Sequence, residues 1–341
     1  MKNNANTIIR SACLLFLVAT LFTGSAHARE KLTYRLKWLY NVSVVGALYA
    51  KTHHMFEEAG LEVDVKAGGP ERDAIRELEL GYADFGVASA DQLFRAREKG
   101  SPVVVIAQLF QVNPLQWIYR PADGQIQNLS DLAGKVIGVT YGGNDETIMR
   151  TLLAKTGISP TDAALFSVRY DYTPFYRRQV QLWPVYRNAQ GPIIAAQLAK
   201  AGEKTAYFNP AEFGVNFVAN SVVTEEQTLK ERPELVKRFL AVLLAGWQQA
   251  LDPENQAEAI KTLQQYDHDT PLPILEEQLR ITRELIQPAP HFAIGTIDQQ
   301  AWEQTGQIML TQKQLTRKPD LKAILQPVDV SSAALSEQRN N

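Results

Sequence analysis

The sequence predicts a two-lobed α/β protein, each lobe a mostly parallel sheet flanked by helices, with two extended crossings between the lobes. Three observations predict it. Strands and helices alternate from Lys31 to Leu109, the same rhythm restarts from Lys135 to Phe208, and from Glu225 onward the pattern is nearly all helical. With 45% hydrophobic and 21% charged residues in 341, the composition is globular, which excludes disorder, collagen and coiled-coil arrays. Thirty-five basic residues against 37 acidic ones leave a net charge of -2, too little positive charge for a nucleic-acid binder. A single Cys excludes a disulfide framework and a Cys-rich metal site.

The chain opens on an address. Lys2 and Arg10 precede an apolar stretch from Ser11 to Gly24, too short for a comfortable membrane span, and Ala26-His27-Ala28 follows as an A-x-A cleavage site. Residues 1–28 therefore read as a signal peptide cleaved after Ala28. Cys13 lies inside the apolar stretch rather than at its end, so the mature chain is expected to carry neither lipid nor thiol.

In the first lobe, Lys31–Trp38 alternates as a strand, and Val44–Ala59 reads as a helix stopped by Gly60. Leu61–Lys66 is a strand, Arg72–Leu80 a helix, Asp84–Val87 a buried strand, Gln92–Lys99 a helix and Val103–Leu109 a β-branched strand. The second lobe repeats this with strands at Lys135–Thr140, Leu165–Tyr170, Leu182–Tyr186 and Lys204–Phe208. Its helices are Glu146–Thr156 and Pro192–Ala201. Gln111–Arg120 and Phe213–Val223 are the crossings, which together make a hinge beside a cleft. The expected division is residues 29–118 with 216–330 for lobe one, 119–215 for lobe two, and a polar tail at 331–341. Ligands of open α/β sheets sit at strand carboxyl ends, which here face the cleft.

Along this frame the sequence resembles the solute-binding proteins of bacterial ABC importers. It is most similar to the branch that binds pyrimidine precursors of thiamine, which includes fungal pyrimidine synthases. Trp38-Leu39-Tyr40-Asn41 resembles that branch's W-x-x-N, followed by Gly46 and Tyr49. Phe56 to Leu61 resembles its F-x-x-x-G-L. Gly68-Gly69-Pro70, Gly81 to Val87, Leu132 to Val139 and Phe213 to Phe217 follow in order. The resemblance implies a type II periplasmic binding protein that closes around a small planar nitrogen-containing solute. Its partners would be a permease and its ATPase, its site periplasmic, and its state monomeric, with no cofactor or metal. The same fold serves binders of sulfonate and nitrate and sensor modules for separate receptors, so these stay open.

The residues that could hold the solute stand at the strand ends. Trp38 and Tyr40 can stack on a planar ring, and Asn41 offers donors and an acceptor, or a helix N-cap. Ser89 and Asp91 follow the third strand, where one of them can equally cap the next helix. Gly142, Gly143, Asn144, Asp145 and Glu146 follow the first strand of lobe two. The glycines permit close approach, and the two acids either favour an amine or protonated ring over an oxyanion or serve as helix-dipole partners. Tyr186 and Asn188 match the family's Y-x-x-N-E-P, but Ala189 replaces the glutamate, and Lys37 stands where the branch has Asp. His53-His54 reads as a solvated helix face, Arg177-Arg178 as a cleft rim and Trp247 as core. An enzyme is the rival class. The fungal relatives use a pyridoxal-phosphate lysine, a histidine and a cysteine-rich iron segment. Ala88 and Gln92 occupy the first two positions here, and the mature chain has no Cys.

Overall fold

Alternation builds β1 and β2 of the first sheet, and continuously buried runs build β3 and β4. Strand β1 (Glu30–Arg35) buries Leu32 and Tyr34, and β2 (Leu61–Lys66) buries Leu61, Val63 and Val65 while Glu62 and Asp64 face water. In β3 (Phe85–Ala88) and β4 (Val103–Gln108) every residue is buried, as expected of strands covered on both faces. The computed structural model describes residues 29–69, 71–158, 162–169, 171–289 and 292–330. The expected signal segment 1–28 with Cys13, and the tail 331–341, lie outside the described residues.

The second sheet uses β5 (Leu115–Tyr119), β6 (Val136–Val139), β7 (Ala164–Ser167), β8 (Leu182–Tyr186) and β9 (Ala206–Phe208); β10 (Ser221–Glu225) returns to the first. The strand orders are β2-β1-β3-β10-β4 and β7-β6-β8-β5-β9. The two sheets thus share one plan. Each has three parallel strands, then an antiparallel strand supplied by a crossing, then an edge strand. The sheets are therefore mixed where the sequence predicts them mostly parallel. Both crossings end as the antiparallel strands, and β5, whose first residue is Leu115, belongs wholly to the second sheet. The crossings also hold each other. Asn113 Nδ2 donates to the Phe217 carbonyl at 2.7 Å, and the Leu109 N–H donates to the Asn220 carbonyl at 3.0 Å.

The helical tail completes the cores. Helix Pro233–Leu251 lays Phe239 flat on Phe85, with ring centroids 3.8 Å apart, and buries Trp247 as expected. Helix Gln299–Thr311 brings Trp302 under the sheet, where its indole N–H donates to Gln108 Oε1 at 3.0 Å. A second apolar core runs from Phe94 and Trp302 through Leu115 and Trp117 to Ile148 and Leu152, so the lobes share apolar packing beside the crossings. No helix of the described residues is long and apolar enough to cross a membrane.

Two local readings are corrected. The expected helix Val44–Ala59 is broken into Val45–Thr52 and Met55–Glu58, because His54 adopts φ 56° and turns the chain. His53 then stacks on Tyr49 with ring centroids 3.8 Å apart, while His54 is exposed, as the solvated-face reading expects. Arg178 is not at a cleft rim. It pairs with Asp123 and Glu203 beside the amino end of β8, the pole opposite the strand carboxyl ends.

Candidate functional site

Strands β1 and β3 of the first sheet and β6 and β8 of the second end in the loops that carry the predicted site residues. Bonds between the lobes close this region. Lys37, two residues beyond β1, places its Nζ 3.4 Å from the Tyr186 hydroxyl at the end of β8. Asn188 is fully buried and donates from Nδ2 to Ser43 Oγ at 3.1 Å and to Thr282 Oγ1 at 2.9 Å. Gln278 donates to the Ala189 carbonyl at 2.7 Å, and the Arg187 N–H donates to the Pro114 carbonyl at 2.8 Å. The segment after β8 is thereby fixed to lobe one and to the first crossing.

The loop after β1 is rigid for a steric reason. The Gly68 N–H donates to the Trp38 carbonyl at 2.9 Å. A Cβ on Gly68 would fall 1.9 Å from the Leu36 carbonyl oxygen and 2.7 Å from the Lys37 carbonyl carbon. Only glycine lets the two loops cross there. Asn41 accepts from the Ser43 N–H at 2.7 Å, which makes it the N-cap of the short 3-10 turn Val42–Val44. Tyr40 has partners within lobe one. Its hydroxyl donates to the Val65 carbonyl at 2.9 Å, and its ring lies against Tyr266. Trp38 is half-buried on the same loop, and Leu39 beside it is exposed.

After β3, Ser89 and Asp91 are both buried and joined to each other, Oγ to Oδ1 at 2.5 Å. Gln92 closes a capping box by accepting from the Ser89 N–H at 3.2 Å. Asp91 also pairs with Arg95 one turn on. The helix-cap reading of this group is seen here, in a cluster whose polar atoms bond to one another.

The loop after β6 treats its acids the same way. Asp145 is 4% exposed; its carboxylate accepts from the Thr140 N–H at 2.7 Å and the Glu146 N–H at 3.0 Å. Burial pushes its carboxyl up to about 6, against the opposing pull of the Thr140 N–H. Gly143 makes room for it, since a Cβ there would sit 2.4 Å from Asp145 Oδ1. Glu146 accepts from the Gly142 N–H at 2.8 Å and pairs with Arg150 at 2.8 Å. Asn144 opens the helix Asn144–Thr156. These bonds correspond to the helix-start reading of the two acids, with their oxygens turned to their own loop.

Two cavities lie elsewhere. One of about 190 Å³ sits against the crossings among Gln111, Asn113, Asn216 and Phe217, and one of about 420 Å³ lies between helices Gln190–Lys200 and Leu272–Ile286. None of the residues predicted as ligand contacts lines either. Sequence reasoning missed Lys37 as a cleft group and Ser43, Thr282 and Gln278 as the partners of the segment after β8. Lys37 had a signal, a long cation directly beside the strand-end tryptophan. The others had none, because their roles depend on tertiary packing.

A family model described as NMT1/THI5 like matches residues 41–257. The chain belongs to this family. Its relatives include the formylaminopyrimidine-binding protein of Halalkalibacterium halodurans, 24% identical over 84% of this chain and 89% of that one. The riboflavin-binding protein RibY of Chloroflexus aurantiacus is 22% identical over 90% and 86%. An enzyme is also similar: the 4-amino-5-hydroxymethyl-2-methylpyrimidine phosphate synthase THI11 of Saccharomyces cerevisiae, 22% identical over 70% and 75%. Among solved structures, the periplasmic aliphatic sulphonate binding protein SsuA from Escherichia coli superposes with a TM-score of 0.68 at 16% identity, covering 89% of this chain and 94% of that one. The fold is that of the periplasmic binding proteins.

Proposed function

We propose that this NMT1/THI5-like protein is the solute-binding component of an ABC importer. It takes a small planar nitrogen heterocycle in the periplasm, as a monomer, and delivers it to a permease. The observation that carries this reading is the meeting of the loops after β1 and β8, one from each sheet, with bonds crossing between them at Lys37–Tyr186 and Asn188–Ser43. A solute held there touches both lobes, so its binding free energy acts on the hinge at 109–114 and 215–220. The formylaminopyrimidine-binding and riboflavin-binding relatives support a flat ring as ligand, and Trp38 on the β1 loop is the candidate stacking face. Lobe division at the two crossings, export by the segment before Arg29 and cleavage after Ala28 belong to the same reading.

A binder fits the third strand end better than the synthase chemistry. Ala88 is buried and carries no amine, and Gln92 is engaged with Ser89 and donates to Asp73 Oδ2 at 3.1 Å. Calorimetric titration of the mature protein with formylaminopyrimidine, 4-amino-5-hydroxymethyl-2-methylpyrimidine and taurine tests the proposal. One-to-one heat with a pyrimidine, together with compaction in small-angle scattering, is expected. Saturation by taurine with no response to any flat ring would overturn it.

A further inference from the structure

The charges at the strand ends do not balance in the way their sequence suggests. Each acid there has partners within the protein: Asp91 has Ser89 and Arg95, Asp145 has the N–H groups of Thr140 and Glu146, and Glu146 has Gly142 and Arg150. Arg95 and Arg150 are answered by those same acids, and Arg187 lies 3.6 Å from Glu284. Lys37 differs. Among the described residues it makes no ion pair, and the hydrogen bond found for its Nζ is the 3.4 Å contact with the Tyr186 hydroxyl. An ammonium has three donors, so two are left without an acceptor among the described residues, and the third has a long, neutral one.

We propose that Lys37 contacts an anionic group of the solute, so that the ligand class is a planar nitrogen heterocycle bearing a carboxylate, sulfonate or phosphate substituent. This rests on the heterocycle reading of the same site. Three observations carry it. Lys37 is half-buried between the lobes, where an unanswered cation is costly and an anion restores balance. Its backbone is held by the Gly68 crossing, so the ammonium is presented from a fixed loop rather than a mobile one. Its weak partner, Tyr186, sits on the other lobe, so an anion that captures both the ammonium and the tyrosine hydroxyl bridges the lobes and couples charge recognition to closure. The acidic pair Asp145 and Glu146 does not oppose this, because both carboxylates are turned to backbone N–H groups and Arg150.

The test is titration of the native protein and Lys37→Met with three probes: 4-amino-5-hydroxymethyl-2-methylpyrimidine, a pyrimidine carboxylate of the same ring size, and taurine. A charge-assisted hydrogen bond corresponds to about 10–150-fold in affinity. The native protein is expected to prefer the carboxylate over the neutral pyrimidine by at least about tenfold. Lys37→Met should erase that preference without lowering the thermal midpoint; Lys37→Arg should retain most of it. Equal binding of the charged and neutral rings, or a preference that survives Lys37→Met, overturns the proposal. Binding of taurine alone, lost in Lys37→Met, would overturn the heterocycle reading while supporting Lys37 as the anion contact.

Discussion

The loops after β1 and β6 occupy the same place in their sheets, one strand in from the edge, yet they handle charge in opposite ways. The β6 loop carries two acids and satisfies both internally, with three backbone N–H groups and one arginine. The β1 loop carries one lysine and answers it with a single tyrosine hydroxyl from the other lobe. Residue type alone would assign the site to cations. The count of local partners reverses that assignment: the carboxylates beside a helix start find N–H donors within their own loop, whereas the Lys37 ammonium finds one long acceptor, on the other lobe.

The largest test of this contrast acts on the β1 loop. Gly68→Ala places a methyl against backbone atoms of Leu36 and Lys37 that no rotamer change can relieve. It should destabilise the protein by about 3 kcal/mol and weaken solute binding as Lys37 moves. Denaturant unfolding and titration read the two effects. Intact affinity alongside lost stability would show that the position of Lys37 does not matter.

On the β6 loop, Asp145→Ala leaves the N–H groups of Thr140 and Glu146 without their acceptor and should cost about 2 kcal/mol. The charge preference of the solute should persist in this variant, since Lys37 is untouched.

A smaller effect follows from the protonation of Asp145. Its carboxyl is raised from the ordinary 3.8 to about 6 by burial, so the folded state holds this proton over a pH range where the unfolded chain has released it. Stability therefore rises as pH falls through about 6, and the gain is complete below the unfolded value. Between pH 7.5 and pH 5 the native protein should gain about 1 kcal/mol relative to Asp145→Asn, measured by unfolding both at each pH. A constant difference would mean that the N–H groups hold Asp145 ionised throughout.

The smallest effect is assigned to Glu146→Gln. It weakens a partly exposed pair with Arg150, so a stability loss of about 0.3–0.5 kcal/mol is expected, with affinity unchanged. A tenfold loss of affinity for an aminopyrimidine would return the acids to the ligand.

Periodicity made most of the fold legible. The helices Asn144–Thr156 and Pro233–Leu251 and the strand Leu182–Tyr186 follow, within two residues, from their apolar spacing, and the glycines at 60, 81, 100 and 157 mark real ends. The break at His53-His54 was not legible, because nothing in Val44–Ala59 except the fold itself forces His54 into a left-handed conformation. The strand-end loops could be located from sequence, since strand ends are periodic features. The direction of each side chain could not. Tyr40 turns back to Tyr266, a residue more than two hundred positions away, and Asn188 reaches Thr282 on a tail helix. Such choices are made by tertiary partners, which residue type at one position does not specify.

Strand β10 lies inside the first sheet, between β3 and β4, but its residues 221–225 arrive only after the whole of the second sheet. During synthesis, therefore, residues 115–208 hold every strand the second sheet needs, while the first sheet waits with a gap in its middle. Closing that gap means joining Val105 to Val223 across a long stretch of chain, a slow step because loop-closure entropy is lost before the pairing forms. The leading hundred residues are thus kept from settling until most of the polypeptide exists, so the first sheet completes late and the second can complete before it.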